Sequence, residues 1–162
     1  GADVPLFIVD WPVAWATGIG DRLQRAVPVA GYLILLVNPG FSVATAWVYE
    51  KFALTAAGKK INLQTFHDVH SDEEDCPFTR RVIRPDELVN DLEAVTAGQY
   101  QEISSLRERL LRGGAVAAMM TGSGPSVYGL FPEQEEEKAV ACGRELSREY
   151  PKTFLVSPLT SR

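Results

Sequence analysis

Residues 119–131, Met-Met-Thr-Gly-Ser-Gly-Pro-Ser-Val-Tyr-Gly-Leu-Phe, set Gly122 and Gly124 one residue apart in front of Pro125. Glycine reaches positive φ without strain, and its bare backbone lets N–H groups approach an anion. The hydroxyls of Thr121, Ser123 and Ser126 could add donors to such a cradle. A tight connection between two strands uses the same residue types, so the spacing leaves a phosphate loop and a plain turn both open. A Walker loop is excluded, because no Gly-Lys-Ser/Thr follows.

Other residue types invite chemistry more weakly. Asp3 sits between small residues and a Val-Pro step, in Gly-Ala-Asp-Val-Pro. A carboxylate there can cap a turn before proline, or act as a general base that orients a hydroxyl nucleophile for phosphoryl transfer. Thr45 and Tyr49, four residues apart, share one face of any helix that carries them, either as a site or as ordinary surface. Residues 66–81 crowd His67, His70, Asp72, Glu73, Glu74, Asp75 and Cys76 into one segment. These are donor types for a divalent metal, but no recognised ligand spacing accompanies them, and the segment reads as a solvated acidic excursion. No metal site is assigned. The acidic run from Glu133 to Glu137 reads as the first turn of a helix, and Trp11, Trp15 and Trp47 as packing residues without a basic patch beside them.

The bulk numbers frame these candidates. A chain of 162 residues, 46% hydrophobic and 23% charged, can bury a core and fits one domain, or one domain and part of another. Its net charge of −5 argues against nonspecific attraction to nucleic acid or to an anionic membrane, while leaving room for a local phosphate pocket. The cysteines, Cys76 and Cys142, are far apart, which fits a reduced, cytoplasmic setting without a disulfide framework. The longest apolar run, Tyr32 to Val37, is too short to cross a bilayer. The chain opens on Gly-Ala-Asp-Val-Pro-Leu-Phe with no initiator methionine and an apolar run already under way, which points to a piece beginning inside a larger protein.

The elements that would position the candidates follow from periodicity. Val13 to Thr17 reads as a short strand, and residues 21–30 as a second extended segment. Residues 31–40 give a strand buried on both faces or central in a sheet, stopped by Asn38-Pro39-Gly40. Ser42 is a plausible N-cap for a helix over residues 43–52, with Val43, Ala46, Trp47 and Phe52 as its core stripe. Further helices are expected over residues 87–97, 99–112 and 134–150. The second of these shows Ile103, Leu106 and Leu110 on one stripe and ends at Gly113-Gly114; the third buries Ala139, Cys142, Gly143 and Leu146. Strands flank the glycine turn, and residues 152–159 return as a last strand. From residue 31 the order is strand, helices, strand, strand, helix, strand. The economical solution is α+β: a two-layer ferredoxin-like plait, helices on one face of a mostly antiparallel four-stranded sheet.

Taken in order, Gly-Ala-Asp-Val-Pro (1–5), ATGIGD (16–21), LVNPGFSVATAWVY (36–49), NDLEAV (90–95) and MTGSGPSVYGLF (120–131) resemble the GHMP kinase superfamily. Only residues 53–86 lie outside the resemblance. Within the superfamily the motifs are most similar to the branch that passes the ATP γ-phosphate to the 2-hydroxyl of a cytidine-diphosphate-linked methylerythritol, in the non-mevalonate route to isoprenoid precursors. The resemblance implies a remnant of the N-terminal kinase domain over residues 1–30 and the C-terminal domain over 31–162. It implies Asp3 as the catalytic aspartate, with Ala2 and Ile19 lining the substrate pocket. Thr45 and Tyr49 match positions at the cytidine end, Tyr49 suited to stacking on cytosine. Thr121, Gly122, Ser123 and Gly124 match the motif that borders the reacting phosphates.

The same resemblance shows what is missing. The superfamily's glycine- and serine-rich phosphate loop, the lysine partner of the aspartate, and the main Mg²⁺ and adenine surroundings belong to sequence that is not in this chain. ATP and Mg²⁺ are therefore expected in the full-length enzyme, with neither bound to this piece, and the missing N-terminal domain is its natural intramolecular partner. Partners otherwise reduce to the small-molecule substrate, with no nucleic acid and no membrane. The alternatives are a piece of a homoserine- or mevalonate-type kinase, or a non-catalytic binding or dimerisation module on the same plait. The piece alone is expected to show no ATP-dependent turnover; a rate above background would refute that.

Overall fold

The computed structural model describes residues 7–9, 11–18, 20–26, 30–56 and 88–159. Ala2, Asp3, Ile19 and the histidine-rich segment with Cys76 lie outside the described residues. Those described fall into two compact units. The first takes residues of Gly1–Ala30 and Pro158–Arg162; the second takes residues of Gly31–Ile61 and Arg84–Ser157.

In the first unit, β1 (Ala14–Thr17) and β2 (Arg22–Arg25) form an antiparallel hairpin, Ala14 opposite Arg25 and Thr17 opposite Arg22. Gly18 and Gly20 turn the chain with φ of +68° and +95°, and the Gly20 N–H donates to Thr17 O at 3.1 Å. Of the extended segment expected over residues 21–30, the strand covers Arg22–Arg25.

The second unit is built on β3 (Tyr32–Asn38), β4 (Ala117–Met120), β5 (Val127–Pro132) and β6 (Lys152–Val156), in the order β4-β5-β3-β6 and antiparallel throughout. That order, with the helices placed between strands in sequence, is the ferredoxin-like plait. The apolar run of β3 is central in the sheet; only Leu35 and Val37 are fully buried, so one face carries the core. Cross-strand rows set the packing. Leu155, Leu35, Gly129 and Ala118 lie opposite one another in turn, as do Thr153, Val37, Val127 and Met120.

Helix α1 spans Thr45–Ala56, α2 Glu93–Gln99, α3 Gln101–Arg112 and α4 Glu136–Ser147. The expected stripe of α3 (Ile103, Leu106, Leu110) is buried, as are Ala139, Cys142 and Leu146 of α4, while Gly143 is half-buried. Helix α3 closes with two bonds, Gly114 N to Leu111 O at 3.1 Å and Ala115 N to Leu110 O at 3.0 Å. The left-handed residue is Gly114, at φ +107°; Gly113 keeps helical dihedrals, and a Cβ there would overlap Cys142 Sγ.

Three expectations need correction. Helix α1 starts at Thr45, three residues after Ser42, so Ser42 does not cap it. Its fully buried residue is Val48, with Trp47 and Phe52 half-buried, while Ala46 faces solvent and Val43 precedes the helix. The helix before Gln101 begins only at Glu93, because residues 90–92 form a turn, and α2 and α3 break at Tyr100, whose dihedrals of −121° and 90° are extended. That break lets the Tyr100 ring stack on Phe41, centroids 4.9 Å apart, with Trp47 edge-on at 6.3 Å.

Beyond α4, Tyr150 is nearly buried and its hydroxyl donates to the Glu102 carboxylate. Arg109 lies over the Tyr150 ring and donates to Glu149 at 2.7 Å, so α3 and the end of α4 are joined through charge. The Arg109 hydrogen bond holds the Glu149 carboxyl below its usual range.

Two predictions follow from this packing. A Cβ on Gly129 would meet Ala115 Cβ at 3.1 Å and Leu110 Cδ2 and Phe131 Cε2 at 3.2 Å. Gly129→Val should therefore destabilise the second unit by about 1–3 kcal/mol in urea unfolding, through overpacking; an unchanged midpoint would contradict this packing. Because the folded-state pKa of Glu149 is depressed, its contribution is present above the ordinary carboxylate pKa of about 4.3 and is lost as pH falls through the folded value. The stability gap between wild type and Glu149→Gln should accordingly shrink as unfolding is measured at progressively lower pH. A gap that stays constant from neutral to acid would sink it.

Candidate functional site

The glycine turn connects β4 and β5 and is closed by backbone bonds: Thr121 N donates to Ser126 O at 2.9 Å and Gly124 N to Thr121 O at 3.1 Å. Gly122 and Gly124 take φ of +58° and +88°, and the Gly124-Pro125 peptide is cis. A Cβ on Gly124 would press on Met120 Sδ at 2.6 Å and Thr96 Cγ2 at 3.3 Å, whereas one on Gly122 would meet nothing within 4 Å.

Side chains from several elements grip the turn. Asn90, in the turn before α2, donates its amide to Met120 O at 2.8 Å and Gly122 O at 2.9 Å, while its own carbonyl accepts from Leu92 N at 3.1 Å. With both amide ends committed, the orientation of the side chain is fixed. Thr96 on α2 is wholly buried, and its hydroxyl reaches Ser123 O at 3.2 Å and Leu92 O at 3.3 Å. Thr45, the first residue of α1, meets the Ser123 hydroxyl at 3.0 Å. Asn38 ends β3 by donating to Ser126 Oγ at 2.9 Å and accepting from Gly40 N at 2.8 Å.

The strand leading into the turn is braced the same way. Met120 N donates to Glu93 Oε2 at 2.7 Å, and Arg107 Nε donates to Ala118 O at 3.0 Å. Arg107 lies 3.6 Å from the other Glu93 oxygen, a partly exposed pair worth little by itself.

Residues 81–152 match the family model described as GHMP kinases C terminal. Over 159 residues, 98% of this chain and 52% of the relative, the chain is 38% identical to 4-diphosphocytidyl-2-C-methyl-D-erythritol kinase of Syntrophotalea carbinolica. To the protein of that name in Pelobacter propionicus it is 41% identical over 139 residues, 86% of this chain and 45% of that one. Residues 81–152 thus carry the C-terminal domain of GHMP kinases. It spans about half the length of the curated relatives it matches. In fold it is similar to a crystal structure of 4-(cytidine 5'-diphospho)-2C-methyl-D-erythritol kinase, with a TM-score of 0.65 at 24% identity over 96% of this chain and 53% of that one. Homoserine kinase from Cytophaga hutchinsonii shares the fold at a TM-score of 0.56 and 14% identity, covering 86% and 46%.

Within the second unit, the structure brings Thr45 to the glycine turn through its hydrogen bond with Ser123. Tyr49, one turn along α1, is 57% exposed, its ring open to solvent. Thr121 and Gly122 are exposed and Ser123 and Gly124 half-buried. Sequence reasoning missed Asn90, Glu93, Thr96 and Arg107. The signal available was NDLEAVT, where polar residues at 90, 93 and 96 recur at helical spacing beside apolar ones. Among the described residues no three His, Cys, Asp or Glu side chains gather as a metal would require.

Thr96→Val keeps the shape of the side chain but removes the buried donor to Ser123 O, and should cost about 1–2 kcal/mol in urea unfolding. No measurable loss would mean that the hydroxyl does not hold the turn.

Proposed function

We propose that this chain is the carboxy-terminal part of a kinase that transfers the ATP γ-phosphate to the 2-hydroxyl of 4-diphosphocytidyl-2-C-methyl-D-erythritol, in the cytoplasmic non-mevalonate route to isoprenoid precursors. The observation that carries this reading is the identity of about 40% that nearly the whole chain keeps with kinases of that name. The anchored glycine turn supports it. Homoserine- and mevalonate-type kinases share the fold at 14% identity, which speaks for architecture only.

On this reading residues 1–30 belong to the N-terminal domain and 31–162 to the C-terminal one. Asp3 takes the proton of, or orients, the acceptor hydroxyl, with Ala2 and Ile19 beside it in the pocket. Tyr49 stacks on cytosine, and Thr45 stands at the cytidine end. Thr121 to Gly124 border the phosphates. Phosphoryl transfer asks the protein chiefly to position the reactants and to meet charge on the phosphate oxygens. ATP with Mg²⁺, held mainly by the rest of the parent enzyme, supplies the phosphoryl group and neutralises its charge. The hydrogen bond between Thr45 and Ser123 gives the nucleotide end and the phosphate end a common support.

Asp3→Asn in the full-length parent should lower kcat by about 10²- to 10⁴-fold, as loss of a general base does, with the fold retained by circular dichroism. Turnover within a few-fold of wild type would remove Asp3 from the chemistry. Substrate choice is read by thermal shift of the parent: a cytidine-diphosphate ligand should raise Tm where homoserine and mevalonate do not.

A further inference from the structure

A trans peptide unit is planar, so a carbonyl anchored on one side turns the N–H of the next residue to the other, and every peptide of the turn except Gly124-Pro125 is trans. The turn obeys this at the carbonyls gripped by side chains. Asn90 holds Met120 O, and the following N–H, of Thr121, points to Ser126 O at 2.9 Å. Thr96 holds Ser123 O, and the following N–H, of Gly124, points to Thr121 O at 3.1 Å. Asn90 also holds Gly122 O at 2.9 Å, so the N–H of Ser123 is turned away from Asn90. That N–H meets no acceptor among the described residues.

We infer that Asn90 is a positioning residue which, through Gly122 O, aims the Ser123 N–H at an oxygen of the reacting phosphates. This rests on the kinase reading above. A neutral N–H aimed in advance is the donor type that meets charge developing on a phosphoryl oxygen without reorganising. Asn fits the task because its one amide group reaches Met120 O and Gly122 O while its carbonyl pins Leu92 N and the start of α2. Asp would keep the bond to Leu92 N but set a carboxylate oxygen against the two backbone carbonyls. Glu93 and Arg107 support the arrangement from outside, by fixing Met120 N and Ala118 O of the strand leading in.

The test uses the full-length parent carrying Asn90→Ala or Asn90→Asp, with ¹⁵N labelling and steady-state kinetics. In wild type the Ser123 amide should be ordered, with S² of about 0.85, and its proton should shift downfield on addition of a non-hydrolysable ATP analogue. In the variants its order parameter should fall and the shift should be lost. The kcat should drop about tenfold to a hundredfold, while KM for the cytidine-diphosphate substrate stays within about threefold. A wild-type kcat in either folded variant would overturn the proposal, as would a loss expressed only in KM or an unaltered Ser123 amide. Should both variants fail to fold, Asn90 serves the fold and the positioning role is refuted. If the wild-type parent does not phosphorylate the cytidine-diphosphate substrate, the kinase reading fails instead. The order parameter still decides whether Asn90 orients Ser123, and inorganic pyrophosphate replaces the analogue as the probe of anion binding.

Discussion

A strand at the edge of a sheet turns half of its backbone polar groups away from its neighbour, and β4 is such a strand. Ala118 O, Met120 N and Met120 O would otherwise face outward unpaired, at a cost comparable to a lost hydrogen bond each where they are buried. Arg107, Glu93 and Asn90 take them in turn. The strand is thereby closed to a further strand, and the turn that leaves it inherits its placement from the same side chains. The glycine turn is therefore not a free hairpin tip. Its carbonyls are fixed from α2 and the turn before it, its Ser123 hydroxyl from α1, and its exit from the end of β3.

Such bonds need their elements at close range, and small residues in the core provide it. Gly129 lets Leu110 of α3 come closer than a Cβ would allow, and Gly143 lets Leu35 approach α4. Gly113 does the same for Cys142, whose thiol, pushed up by burial, acts as a packing group rather than a nucleophile. With a larger residue at 129, α3 would stand farther from β4 and β5, and Arg107 would lose its reach to Ala118 O. The core spacing and the placement of the turn are in this sense one constraint, transmitted through α3.

Much of the architecture was legible in local pattern. The apolar run of β3, the stripes of α3 and α4, and the alternation of strands with helices from residue 31 lead directly to the antiparallel plait. The errors have physical causes. Helix α1 turns Val48 inward because its neighbours are α2 and the aromatic stack at Tyr100, which no periodicity within residues 43–52 reveals. The break between α2 and α3 was expected, but it falls at Tyr100, whose ring stacks on Phe41, fifty-nine positions earlier. Asn90, Thr96 and Arg107 act on backbone atoms far along the chain, and a polar side chain that will bond a distant carbonyl looks the same in sequence as one that will face water. Thr45 illustrates this directly: its helical spacing from Tyr49 was visible, its bond to Ser123 was not.

The spacing Gly-Ser-Gly can now be resolved residue by residue. Gly124 is demanded by the protein: its φ of +88° disfavours any side chain, and a Cβ would drive into Met120 and Thr96. That glycine belongs to the hairpin. Gly122 has φ of +58°, within the left-handed region that Asn or Asp also visit, and open space where a Cβ would be. Packing alone would tolerate more than glycine there. On the kinase reading, a bare position 122 keeps the approach to the Ser123 N–H open, the donor that the grip on Gly122 O turns away from Asn90. The hairpin needs one of the two glycines; on the kinase reading, presenting its backbone to phosphate uses both.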